Sequence, residues 1–244
     1  MKRSKSLVAV AVAAAAMAAT PAAEAKRADT FEVTFTDLTG GQPLTPAVAA
    51  THRGRNELFN VGDAASFGLK EIAENGNNTP MLSRLASDGD VSDFLEAPGG
   101  PLVPAGSPGD AMFDQSTTFT ITADRGARRL SLAAMLICTN DGFTGVNSLR
   151  LLSKVGGSVT VETMAYDAGT EANTEDFADM VPPCQALIGV STGEPGTGQS
   201  DPALATSDVI RHHTGITGRR DLVPAVHGWD VSAPVARLTV TAMG

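Results

Sequence analysis

Basic residues are the scarcest charged class in this 244-residue sequence: 18 Lys and Arg stand against 27 Asp and Glu, a net charge of −9. That balance argues against binding a nucleic-acid backbone, which relies on Lys and Arg displacing the counterions of the phosphates. Cysteine is nearly absent, at two residues, which excludes a disulfide-dense miniature scaffold and a four-thiolate zinc site. Aromatic residues make up only 5% of the chain, and no basic or aromatic loop cluster suited to entering a bilayer is evident. Beyond the amino terminus no apolar run comes near the roughly 20 residues needed to span a membrane. What is plentiful is hydrophobic residues, at 42%, with 25 Gly and 14 Pro, so the chain folds and turns often. No internal repeat or linker divides it, and its length suits one ordinary domain.

Lys2, Arg3 and Lys5 precede the uncharged run LVAVAVAAAAMAA, and the segment closes on Ala23-Glu24-Ala25. This pattern predicts a secretory signal peptide over residues 1–25, cut after Ala25, and a secreted or periplasmic domain over residues 26–244. Its removal takes away three positive charges and one negative one, leaving −11, so the acidity belongs to the folded part. In an oxidising compartment two thiols pair more often than they stay free, so a Cys138–Cys184 disulfide is expected.

Apolar and polar residues alternate in residues 31–37, where Phe31, Val33 and Phe35 share a face, and again in 117–122, 158–166 and 236–241. Each such run reads as a half-buried strand. Residues 129–138 are more continuously apolar, as in a strand buried on both sides. Several strands without alternating helices predict an all-β antiparallel sandwich. Helical spacing is confined to residues 64–74, with Asp63 as cap and Phe67, Leu69 and Ile72 as apolar contacts, and to 80–86. Three Pro-, Gly- or Ser-bearing stretches, 97–110, 172–183 and 192–205, read as loops.

Chemistry concentrates on either side of the 158–166 strand, in Thr139-Asn140-Asp141-Gly142-Phe143-Thr144-Gly145 and in Tyr166-Asp167-Ala168-Gly169-Thr170-Glu171. Asp141, Asp167 and Glu171 would offer hard oxygen ligands from tight, glycine-bearing turns, and calcium accepts six to eight such ligands at irregular geometry. Spacing alone does not separate this reading from ordinary acidic turns, because no EF-hand loop is present. The four histidines, His52, His212, His213 and His227, offer a competing zinc site, although none shows H-E-x-x-H spacing. No G-x-S-x-G elbow or phosphate loop occurs. Trp229 is expected to pack at the core or a sheet edge.

The ordered set FEVTFTDLTGGQPLTPAVAATH, ELFNVGDAAS, LSLAAMLICTNDGFTG, YDAGTE and APVARLTVT resembles the spondin amino-terminal domain, the module of F-spondin and mindin that also occurs as a stand-alone exported bacterial protein. The resemblance runs from about Asp29 to Gly244. It implies an antiparallel β-sandwich shaped like calcium-dependent lipid-binding domains, with short helices inserted and Ca2+ held by acidic loops. The family's ligands fall on Asp141, Asp167 and Glu171; animal members carry Asp at the position of Glu171, and Trp where this chain has Phe143. The function so implied is an exported, non-catalytic calcium-binding module for binding or adhesion to a protein, glycan or matrix component. The alternatives are a zinc-dependent hydrolase using the carboxy-terminal histidines and a purely structural envelope protein.

Overall fold

A computed structural model describes residues 29–54 and 58–243; the proposed signal segment lies outside them. Strands β1 (Thr30–Asp37), β4 (Ser116–Thr122), β7 (Ser158–Thr163) and β10 (Ala236–Ala242) form a four-stranded sheet in the order β4-β1-β10-β7. Strands β2 (Val48–His52), β3 (Val91–Glu96), β5 (Arg129–Met135), β6 (Gly142–Arg150), β8 (Ala165–Asp167) and β9 (Arg211–His212) form a six-stranded sheet in the order β3-β2-β5-β6-β8-β9. All the pairings between these strands are antiparallel. The architecture is the expected all-β sandwich with short helices.

Alternation decides which side chains meet between the sheets. Phe31, Val33 and Phe35 of β1, Phe119 and Ile121 of β4, and Leu238 and Val240 of β10 pack there against Leu130, Leu132 and Ala134 of β5. The opposite face of β5 is covered as well. Ala133 joins Val48 and Ala50 of β2 under two helices, α1 (Phe67–Asn75) and α2 (Thr79–Ala86), through Leu69, Ile72, Met81 and Leu85. The continuous apolar run of β5 follows from this double burial, since each large aliphatic side chain removed from water contributes about 1.5–3 kcal/mol.

Local expectations need four corrections. The 158–166 strand divides at Met164: β7 pairs with β10 in one sheet, and β8 pairs with β6 in the other. Period-2 alternation cannot register a change of partner. The 129–138 run is strand only to Met135, because the Ile137 N–H turns to the carbonyl of Pro43 and Leu136 N–H to that of Gly142. Helix α1 starts three residues late, capped by Ser66 Oγ, which accepts from Leu69 N–H at 3.2 Å. Asp63 does not cap it: its backbone is bound to Asn60 and Ile210, and Phe67 is 68% exposed instead of packed. Two further short helices, α3 (Pro183–Ile188) and α4 (Pro224–His227), arise where proline begins a helical turn without any amphipathic period to announce it.

The third apolar cluster lies at one end of the sandwich and contains the disulfide Cys138–Cys184, with both residues fully buried and Cα atoms 5.1 Å apart. Gln42 braces the same region. Its Nε2 donates to the carbonyls of Cys138 (3.1 Å) and His227 (2.7 Å), and its Oε1 accepts from Cys138 N–H. Trp229 packs against the inter-sheet core and the ring of His213. On the loop-entropy model the bond, closing a loop of separation 46, contributes up to about 4 kcal/mol. The double variant Cys138→Ala, Cys184→Ala should therefore lose about that much stability in equilibrium denaturant titration; a loss under about 1 kcal/mol would show that Gln42 and the packing suffice.

Candidate metal centre

The turn joining β5 to β6 is built around Thr139. Its hydroxyl donates to the carbonyl of Leu136 (2.7 Å) and accepts from Gly142 N–H (2.9 Å). Glycine is required at 142, where a Cβ would fall 2.4 Å from Thr139 Oγ1. Asn140 faces the 174–175 backbone, accepting from Thr174 N–H at 3.1 Å. Asp141 is left pointing inward, fully buried. Its Oδ2 accepts from the backbone N–H groups of Thr170 (2.8 Å) and Glu171 (3.1 Å), while its buried Oδ1 has no hydrogen-bond partner.

Asp167 reaches the same place from the other side, because the β6–β8 register sets it opposite Gly142. Gly169 adopts φ 71° and lets the following loop press against residues 208–209, where a Cβ would lie 2.8 Å from backbone atoms. Asp167 Oδ1 accepts from Gly169 N–H (2.9 Å); its Oδ2 accepts from Asn173 Nδ2 (2.8 Å) and the Arg211 guanidinium (3.1 Å). Glu171, also buried, has a single long bond, from Asp201 N–H to Oε1 at 3.4 Å. The three carboxylates named from the sequence thus come from two loops at one end of the six-stranded sheet.

A fourth carboxylate, Glu74, joins them and was not anticipated. It sits in the last turn of α1, is 4% exposed, pairs through Oε2 with Lys70 and has no partner for Oε1. The sequence signal for it was a carboxylate where the buried face of α1 continues past Ile72 and Ala73, a position that amphipathic spacing assigns to an apolar side chain.

Burial and mutual repulsion push Asp141 and Glu171 toward their neutral forms. Asp141 is raised to about 6, first by burial and then by the charge of Asp167, against the opposing backbone donors. Glu171 is raised to about 8, by burial and then by the charge of Glu74. Four acidic side chains with two buried oxygen atoms lacking partners, and only hard oxygen donors, fit calcium better than a thiophilic ion. Asp141, Asp167 and Glu171 would hold such an ion. No three of the four carboxylates have oxygens that all lie within 4.8 Å of one another, and Arg211 already engages Asp167, so binding requires the carboxylates to draw together.

The histidines do not assemble. His52 Nε2 bonds Ser131 Oγ at 2.9 Å inside the core, and exposed His212 lies against Tyr166. His213 Nδ1 accepts from Gly215 N–H, and burial lowers its pKa to about 4. His227 Nδ1 accepts from Val223 N–H. Among the described residues the one tight group of three metal-ligating types is Cys138, Cys184 and His227, whose two sulfurs are bonded to each other.

Both raised carboxyls hold protons in the folded state that the unfolded chain, with values of 3.8 and 4.5, has already released. Their contribution is fully present below those unfolded values and is lost as pH rises through about 6 and about 8. With calcium chelated, the melting temperature should therefore fall between about pH 5 and about pH 8. Buried Asp37, raised to about 8 by desolvation, acts in the same direction, so the diagnostic is a comparison. Asp141→Asn should flatten the lower half of the decline, and an unchanged profile would show that Asp141 is not a perturbed group.

The family model described as Spondin_N matches residues 28–185, a span that includes Glu74, Asp141, Asp167, Glu171 and both cysteines and stops before β9 and β10. Comparison with curated proteins gives no match. The match covers well over half of the chain, and the two-sheet antiparallel fold agrees with it: this protein belongs to the spondin amino-terminal domain family.

Proposed function

We propose that the protein is an exported, non-catalytic calcium-binding module of the spondin type, which presents the loop end of its sandwich to a protein, glycan or matrix component. Asp141, Asp167 and Glu171 hold the ion, and the ion supplies positive charge that lets two loops carry buried carboxylates side by side. The observation that carries this reading is the buried Oδ1 of Asp141, which has no partner although it stands among other carboxylates. A buried carboxylate oxygen without a donor or cation is costly, and a divalent ion answers both the missing bond and the repulsion.

Family membership supports a binding or adhesion role. Export is supported by the amino-terminal pattern and by the buried disulfide, which forms and persists in oxidising compartments. Among the described residues no helix is long and apolar enough to cross a membrane.

Isothermal titration of the protein lacking residues 1–25 should give a heat of calcium binding and a calcium-dependent rise in melting temperature, both absent in Asp167→Ala. A flat titration together with an unmoved melting curve would leave the acidic loops as solvated structural turns. Stoichiometric zinc surviving dialysis would instead favour the histidine-based alternative.

A further inference from the structure

Helix α1 brings a charge pair to the acidic loops. Lys70 and Glu74 are four residues apart on one helix face, and their ammonium and carboxylate are in direct contact. Lys70 Nζ also donates to Ser200 Oγ at 3.0 Å, and so does Asn75 Nδ2, which fastens the 198–201 segment to the end of the helix. The next residue, Asp201, gives its N–H to Glu171 Oε1. One short segment therefore ties the Lys70–Glu74 pair to a carboxylate of the loop cluster. A groove of about 420 Å3, lined by Glu71, Asn75, Asn77, Gly198, Gln199 and Ser200, lies beside that junction.

Two buried oxygens on different elements lack partners here: Oδ1 of Asp141 on the β5–β6 turn and Oε1 of Glu74 on α1. The Glu74 side chain is 1% exposed, whereas that of Lys70 is 30% exposed, so the ammonium reaches in from the solvent side and can withdraw along its own flexible stem. Two basic side chains, Lys70 and Arg211, stand against the four carboxylates, and Arg211 is shared with Asp208 outside the cluster.

We propose that Glu74 is a further carboxylate ligand of the cation centre and that Lys70 is its resident counter-ion, which a divalent cation displaces. The inference rests on the reading of the loops as a cation site. It adds that binding is an ion exchange which releases the ammonium from Glu74 and loosens its hold on Ser200, so that cation occupancy is felt by α1 and the 198–201 segment as well as by the loops. Lys70 acts through Glu74 and is a positioning and competing residue, not a ligand.

The two partners should respond with opposite signs. In calcium titration calorimetry Glu74→Gln should weaken affinity at least about tenfold, while Lys70→Met, which removes the competitor, should tighten it several-fold. In chelator the order of melting temperatures reverses. Glu74→Gln relieves repulsion and should melt above the native protein, and Lys70→Met leaves a buried charge unpaired and should melt below it. Glu74→Gln binding within about twofold of native, or Lys70→Met binding more weakly than native, would overturn the exchange while leaving the calcium site intact. Native protein that binds no calcium would instead remove the underlying reading. Should Glu74→Gln fail to fold, the Lys70→Met titration decides alone.

Discussion

Strand β5 is buried on both faces, and much of the molecule is arranged to keep it so. One face meets β1, β4 and β10 across the sandwich, and the other lies under α1 and α2. A strand with no solvent face cannot end in solvent-seeking residues without a structure to receive them. At Met135 the chain leaves the sheet through a turn whose backbone donors are taken by Pro43 and Gly142, and whose sulfur is bonded to Cys184. Asp141 is the residue that this turn drives inward. The acidic centre is thus a consequence of how the central strand terminates.

The electrostatics of the centre follow from its donors. Asp141 is held by the backbone N–H groups of Thr170 and Glu171, which orient a carboxylate without neutralising it, while Asp167 takes one such donor from Gly169 beside Asn173 and Arg211. Among the described residues Arg211, paired with Asp167 and Asp208, and Lys70, paired with Glu74, bring the positive charge, each from a partly exposed position. In a site of low polarity that leaves Asp141 and Glu171 raised well above ordinary carboxyl values. On the proposed reading, the repulsion that makes these loops sensitive to pH is also what a divalent ion would relieve, since a proton and a cation act on the same charges.

Much of this was legible in the residues. Phe31, Val33 and Phe35 declared a one-sided strand, the run from Arg129 a two-sided one, and the glycines of TNDGFTG and YDAGTE marked turns that place Asp141 and Asp167 at strand ends. The ordered motifs of the family, matched over residues 28–185, placed Asp141, Asp167 and Glu171 together in a way that D-x-x-x-E spacing alone did not. Less legible were features that depend on a partner distant in the chain. Ser66 caps α1 while Asp63 sits in a turn whose backbone bonds Asn60 and Ile210, and β7 gives way to β8 because two different sheets take parts of the same run.

By itself the sequence determined the class of fold and made the pairing of its two cysteines the expected one, because alternation and compartment are properties that no distant contact needs to supply; the three acidic loop residues were singled out only through the family resemblance. Tertiary structure alone decided that Glu74 stands with those residues, that the four histidines stay apart, and that β10, beyond the family match, lies between β1 and β7. Glu74 reads in the sequence as one more helical carboxylate. It becomes part of an acidic centre only when the burial of Leu69 and Ile72 presses α1 onto the sheet and carries its last turn, with Lys70 attached, to the loops where the other charges lie.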